Sequence, residues 1–227
     1  MTFLYFTTFS SSCNMNNRFK LLAMSIIFDV GANDGRSTID FAKASINNIV
    51  YAFEPNPELC NLIKERSANL PNYILTPKAV SDFNGTAKFN ITQRHGQGCS
   101  SLFGYTDNIN EIWHGLERRF RVTKVINVEV TTIERFIEEN SIPIIDYFHC
   151  DAQGADLRVL KSFGKYLNLL QAGVVETSRL PETSTYKVDN TFDSLKKFLT
   201  ENNFEITDIN SDRRKNELNV YFRKSDI

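Results

Sequence analysis

The chain has 227 residues and a mass of 26.0 kDa, enough for a core that buries roughly 70% of the surface the unfolded chain exposes. Apolar residues make up 41% and charged residues 23%, with 18 Phe and 8 Tyr, which excludes wholesale disorder. Lys and Arg number 26 against 27 Asp and Glu, a net charge of −1, so no global field points to nucleic acid or an anionic membrane.

Residues 1–24 read as an N-terminal extension. Phe3 to Phe9 is apolar and aromatic, but no positive residue precedes it and no small-residue cleavage pattern follows, so a signal peptide is not expected. Met15 or Met24 is an alternative start. Residues 25–227 then form a single domain, with an insertion at about 93–124. No run approaches 18 apolar residues, so no stable membrane insertion is expected. Cys13, Cys60, Cys99 and Cys150 are widely scattered without a C-x-x-C pair, which fits a reducing, cytoplasmic setting and no metal site. Nothing in the sequence gives the oligomeric state.

Strand-like apolar runs alternate with amphipathic helical stretches, the pattern of a mostly parallel sheet with helices on both faces. Ile26–Val30 reads as a buried strand, followed by a helix over about Ser37–Ser45. Ile49–Phe53 is the second strand and Pro57–Asn69 the second helix, with Pro in its first turn. Tyr73–Val80 reads as one strand and Thr86–Thr92 as a half-solvated one. Val125–Val130 follows the insertion. Thr131-Thr132-Ile133-Glu134 then has capping-box spacing ahead of a helix to about Glu139. Ile144–Cys150 is a strand, Ala155–Phe163 a helix, Leu169–Glu176 a strand and Thr191–Thr200 the last helix. Phe204–Ile209 and Glu217–Phe222 close the chain as an antiparallel edge hairpin.

Glycine is scarce, ten residues in all, yet two of them close the turn Phe28-Asp29-Val30-Gly31-Ala32-Asn33-Asp34-Gly35. A strand ends there and a helix begins, so backbone N–H groups converge on whatever sits above the strand ends. Glu54 ends the next strand, nineteen residues after Gly35, where a carboxylate can accept hydrogen bonds from a ribose diol. An adenosine-type cofactor follows. Glu54 can equally be read as a helix-capping acid before Pro55. Asn33 and Arg36 stand where a dinucleotide fingerprint needs small residues, so a pyrophosphate is poorly served. The Asp29-x-Gly31-x-x-x-Gly35 spacing instead resembles the first motif of class I methyltransferases that use S-adenosylmethionine.

Three further motifs occur in order: Phe53-Glu54-Pro55-Asn56-Pro57, Lys78-Ala79-Val80-Ser81-Asp82 with Gly85, and Asp151-Ala152-Gln153-Gly154-Ala155-Asp156-Leu157-x-Val159-Leu160. With Phe28–Gly35 they resemble the FkbM-type methyltransferases, whose members typically O-methylate sugars or natural-product hydroxyls. The resemblance implies a Rossmann-like class I methyltransferase fold and an S-adenosylmethionine cofactor. It also implies that Asp29, Gly31, Asn33 and Gly35 hold the methionine end, Glu54 takes the ribose hydroxyls, and Ser81 and Asp82 lie beside the adenine. Asp151 would face the methyl group and acceptor. The family usually has Lys two residues before that Asp and Glu two after; here those positions are His149 and Gln153.

A hydroxyl needs to lose its proton to attack the methyl carbon, so a base within hydrogen-bond reach is expected. By strand alternation His149 and Asp151 point to one side, and the pair is the candidate that orients and deprotonates the acceptor. His149 can also be read as a packed strand histidine. Glu176 ends the following strand and is a candidate substrate contact or a helix cap; Gln153 and Trp113 are further substrate candidates, Trp113 alternatively core. His95 to Leu102 reads as a loop over the pocket. Arg118, Arg119, Arg121 and Lys124 precede a strand, and Arg213-Arg214-Lys215 marks a hairpin tip; without aromatic interleaving these do not read as a nucleic-acid surface. The expected partner is a small-molecule or glycan acceptor. An NAD-dependent oxidoreductase, or a non-catalytic module of the same fold, stand as alternatives.

Overall fold

The computed structural model describes residues 24–93, 98–211 and 216–225. Strand β1 (Ser25–Val30) is buried at five of its six positions, as expected of a strand covered on both faces. It pairs in parallel with β2 (Asn48–Phe53) on one side and with β7 (Tyr147–Cys150) on the other. Outward from β2 lies β3 (Tyr73–Thr76), and outward from β7 lies β8 (Ala172–Ser178), both parallel. Strand β10 (Glu217–Lys224) then pairs antiparallel with β8 and with β9 (Phe204–Ser211), the outermost strand. The order β3-β2-β1-β7-β8-β10-β9 puts the reversal of winding between β1 and β7. An open α/β sheet of this kind binds its ligand at that point, above the strand ends.

Helices cover both faces. The helices α1 (Ile39–Ala44) and α2 (Pro57–Arg66) press Ile39, Ala42 and Ile63 against Ile27, Val50 and Ala52. On the other face α4 (Ile133–Asn140), α5 (Asp156–Lys161) and α6 (Phe192–Glu201) bury Phe136, Leu157, Leu160, Leu195 and Leu199 against Phe28, Phe148 and Val220. Phe136 meets Phe28 and Phe53 edge-on, with centroids 5.6 and 4.7 Å away. Asn56 caps α2 by accepting from the Glu58 N–H at 3.0 Å, and Pro57 occupies its first turn.

Two local readings of the sequence are corrected. The single strand expected over Tyr73–Val80 breaks at Pro77, which has no N–H to give a ladder. Its second half becomes β4 (Ala79–Val80) in a separate three-stranded sheet with β5 (Gly85–Thr92) and β6 (Val122–Thr131). Helix α4 is capped by Thr132, whose hydroxyl accepts from Arg135 N–H at 3.2 Å; the cap lies one residue later than the capping-box spacing placed it. The insertion contains a short helix α3 (Ile109–Ile112) and a 3₁₀ turn over Glu117–Phe120. Among the described residues no helix is long and apolar enough to cross a membrane. Cys13, His95 and Arg213-Arg214-Lys215 lie outside the described residues.

Candidate active site

A partly open cleft lies above the ends of β1, β2 and β7, where an open α/β sheet binds its ligand. Gly31, Asn33, Glu54, Lys78, Ser100, Asp151 and Gln153 supply its polar walls, and Val30, Phe53, Leu59, Val80 and Leu102 its apolar ones. Gly31 has φ +79°, and a Cβ there would stand 2.0 Å from the carbonyl oxygen of Asp151. The turns after β1 and β7 can touch only because residue 31 has no side chain. Asn33, at φ 54°, and Gln153, at φ 51°, both take the left-handed conformation within this cleft. Non-glycine residues so held concentrate at working sites, where the surrounding structure fixes them.

Glu54 is buried, with one carboxylate oxygen accepting from Asn33 N–H at 2.9 Å and the other from Asn56 N–H at 2.8 Å. Burial raises its pKa to about 7 against those two bonds, with the charges of Asp29 and Asp151 adding to the rise. Asp29 does not line the cleft. It is fully buried beneath the turn, accepting from Thr38 Oγ1 at 2.5 Å and pairing with His149 Nδ1 at 2.8 Å. Thr38 continues to Tyr73 Oη at 3.2 Å, tying β1, α1 and β3 together. Gly35 sits under the same turn, its N–H bonded to Ala32 O at 2.8 Å. Ser81 is buried beside the cleft and donates to Asp82 at 3.2 Å; Asp82 is exposed and meets Arg158 at 3.4 Å.

His149 lies opposite Asp29 in the β1–β7 register, is one-fifth exposed, and is not among the cleft's walls. Burial disfavours its charged form, but the Asp29 hydrogen bond and charge, with Asp151 and Asp156 farther off, outweigh it and raise the pKa above 6.5. Asp151 and Gln153 do face the cleft. The Gln153 amide donates to Asp151 and, at 3.2 Å, to Glu176, while its carbonyl accepts from Tyr186. The Gln153 main-chain oxygen accepts from Ser101 Oγ at 2.6 Å, and Tyr186 also donates to Cys99 O at 3.2 Å. Glu176 stands behind this group, outside the cleft walls. Trp113 is elsewhere: it is buried against Phe120 and donates to Thr185 at 3.0 Å, so it packs the insertion and offers no face to a ligand.

Asp156, one of the motif residues, takes a role that sequence reasoning did not assign. Fully buried, it accepts from the N–H groups of Ala152 at 2.8 Å and Gly154 at 3.1 Å and from the Asn190 amide at 3.1 Å, folding the loop that presents Asp151 and Gln153. Burial, then the Asp151 charge, lift its pKa to about 7. Its sequence signal was a carboxylate at the first position of a helix just after Gly154, where loop amides are free to be bound. Tyr186 and Asn190 carried no such local signal, whereas Ser101 falls in the His95 to Leu102 run read as a loop over the pocket.

The donor set suits S-adenosylmethionine: carboxylates at Glu54 and Asp151 for a cation-bearing ligand with a diol, and an apolar wall at Phe53, Leu59, Val80 and Leu102 for a base. The chain is similar to the solved structure of Aeropyrum pernix fibrillarin with bound S-adenosylmethionine, at 11% identity and a TM-score of 0.50 over 89% of this chain and 67% of that one. It also matches M. capricolum TrmK in complex with S-adenosylhomocysteine, at 12% identity and a TM-score of 0.47 over 94% of this chain and 71% of that one. An rRNA methylase from Streptococcus thermophilus matches at 12% identity and a TM-score of 0.45, over 96% and 99% of the two chains. No curated protein matches the sequence. The fold is that of the Rossmann-like class I methyltransferases. A sequence model of the FkbM methyltransferase domain matches residues 29–206, most of the chain, which therefore belongs to the FkbM methyltransferase family. It is an S-adenosylmethionine-dependent methyltransferase.

Proposed function

We propose that the protein methylates a hydroxyl oxygen of a sugar, a glycan or a related small molecule. The observation that carries this reading is Asp151: a carboxylate on the cleft wall, against the Gly31 turn, clamped by a neutral amide. When bound, S-adenosylmethionine supplies a methyl group whose carbon–sulfur bond breaks with the electron pair left on sulfur. Gly31, Asn33 and Glu54 hold the cofactor, with Asp29 and Gly35 supporting their turn and Ser81 and Asp82 flanking the base end. Asp151 accepts the acceptor's hydroxyl proton as oxygen bonds to the methyl carbon. Positioning the acceptor oxygen roughly 3 Å from that carbon supplies much of the remaining rate.

This assignment moves the base from the His149/Asp151 pair to Asp151 alone. His149 becomes a positioning residue that anchors Asp29, because its Nδ1 contact is Asp29 and its pKa is raised. The acceptor is a small molecule or glycan rather than nucleic acid, a reading supported by the neutral net charge. The free thiols Cys60, Cys99 and Cys150 support a cytoplasmic setting.

The test is methyl transfer from S-adenosylmethionine to a panel of hydroxylated sugars and glycolipids, with the methylated atom located by NMR. Methylation at oxygen is expected; methylation of nitrogen, carbon or RNA overturns the reading. Asp151→Asn lowers turnover by about 10²–10⁴-fold while calorimetry finds cofactor affinity retained.

A further inference from the structure

The turn after β1 carries three residues at positive φ within five positions: Gly31 at 79°, Asn33 at 54° and Gly35 at 78°. Glycine takes that conformation freely and asparagine does not, so residue 33 has to be held there by its surroundings. Its front half is fastened to the end of β2. Gly31 and Ala32 give their N–H groups to Phe53 O, both at 3.0 Å, and Asn33 gives its own to Glu54 at 2.9 Å. These amides point into the protein and not at a ligand.

The back half is fastened by Arg66, the last residue of the ten-residue helix α2. Arg66 Nη1 donates to the Asp34 main-chain oxygen at 2.5 Å and to its carboxylate Oδ2 at 2.8 Å. The same carboxylate accepts from the Arg36 N–H at 3.3 Å, which folds it back over its own main chain. Arg36 Nε also stands 3.2 Å from Asp34, but that side chain is 75% exposed and such a contact is worth little. The side chains of Arg66 and Asp34 are only 29% and 26% exposed. A guanidinium bonded to both the carbonyl and the carboxylate of one residue fixes the following peptide plane as well as the side chain.

We infer that Arg66 is a positioning residue for cofactor binding: from the far end of α2 it holds Asp34, and through Asp34 the left-handed Asn33 that faces the cleft. The helix is about 15 Å long. One strand–helix unit thus grips neighbouring residues of the turn from both ends of its helix, with Glu54 on the amide of residue 33 and Arg66 on the carbonyl of residue 34. Arg66 is not among the cleft's walls, so its effect passes through the turn. Asn33 does line the cleft, and its side-chain nitrogen lies 3.4 Å from where a Cβ on Gly98 would stand. A tilt of residue 33 therefore changes the gap between the turn and the loop at Gly98. The inference rests on the reading that Gly31, Asn33 and Glu54 hold the cofactor.

Calorimetry of the full chain with S-adenosylmethionine and S-adenosylhomocysteine tests it without any acceptor. Arg66→Gln should weaken both ligands alike, by about tenfold, because a displaced turn does not distinguish a sulfonium from a thioether. Loss of a positive charge alone would favour the sulfonium ligand over the thioether, and that outcome overturns the inference. Arg66→Lys, whose single nitrogen can give both bonds, should recover affinity to within about threefold of the native protein. Asp34→Asn, which keeps the carbonyl bond and loses the ion pair, should weaken both ligands by about threefold. Native affinity in Arg66→Gln, or no recovery in Arg66→Lys, overturns the inference. So does a lowered Tm with native affinity, the mark of a residue that serves stability alone. If Arg66→Gln does not fold, Asp34→Asn decides, and native affinity there is equally fatal. Glu54→Gln separates the two readings, since it leaves one of the Asn33 and Asn56 N–H groups facing an amide nitrogen. Unchanged binding in Glu54→Gln overturns the placement of the cofactor; weakened binding there, with native affinity in Arg66→Gln, overturns only the role of Arg66.

Discussion

The two walls of the cleft reach one space by different routes. The cofactor wall is local and made largely of backbone: Gly31, Asn33 and Glu54 lie within one strand–helix–strand unit, and the Asn33 N–H binds Glu54 twenty-one residues away. The wall proposed to meet the acceptor is assembled from afar by side chains. Gln153 is held by Tyr186, 33 residues on, and by Ser101, 52 residues back, over a loop pinned by Asp156 and Asn190. A wall of main-chain turns tolerates little change in sequence, while a wall of side-chain contacts can be re-cut to suit another acceptor and leave cofactor binding intact.

The sharpest way to break the first wall is Gly31→Ala. Its Cβ would strike the Asp151 carbonyl, in a positive-φ turn, and a loss of about 4 kcal/mol in stability with no measurable S-adenosylmethionine binding by calorimetry is expected. Gly154→Ala attacks the other wall. A Cβ there would stand 2.8 Å from Cγ of Tyr186, a ring that can shift, so about 2–3 kcal/mol is lost in denaturant unfolding. Cofactor affinity should fall less than about tenfold, or 1.4 kcal/mol, and a larger fall would erase the distinction between the walls.

Acidity separates them further. Glu54 and Asp156 each keep a proton in the folded protein to about pH 7 that the unfolded chain releases near 4, and His149 also binds its proton more tightly when folded. The contribution of the two acids is full at low pH and is lost as pH rises through about 7, and that of His149 is lost as pH rises above its ordinary 6.5. Thermal melts should therefore give a Tm about 5–10 °C higher at pH 5.5 than at pH 8. Glu54→Gln should remove part of that slope from the cofactor wall and Asp156→Asn part from the acceptor wall. The smallest effect is Trp113→Phe, which deletes the bond to Thr185 and should cost about 1 kcal/mol in chemical denaturation without changing cofactor affinity.

The same contrast explains what could be read from the amino-acid sequence. The succession of strands and helices, the Gly31 turn and the acids at the ends of β2 and β7 were legible because each is set by a short run of residues with a fixed period or spacing. The role of Asp29 was less so. Its place in the motif is that of a cofactor contact, but whether a buried strand carboxylate turns up to the ligand or down to Thr38 and His149 depends on a neighbouring strand 120 residues away. Trp113 was ambiguous for the same reason, since nothing near it announces Thr185. Pro77 did carry a local signal, the missing N–H, against an apolar run long enough to look continuous.

The position of β10 has a consequence for how the enzyme comes into being on the ribosome. It enters the sheet between β8 and β9, so a nascent chain that has not yet released residues 217–224 has an open, apolar β8 edge and nothing for β9 to pair with. The Gly31 turn and its neighbours are complete more than 160 residues earlier in synthesis than Glu217, which binds Thr185 and thereby Trp113. A partly made chain thus holds β1, β2 and the Gly31 turn in sequence well before β7 closes the turn through Asp151 and before the last strand completes the side that carries Thr185 and Trp113.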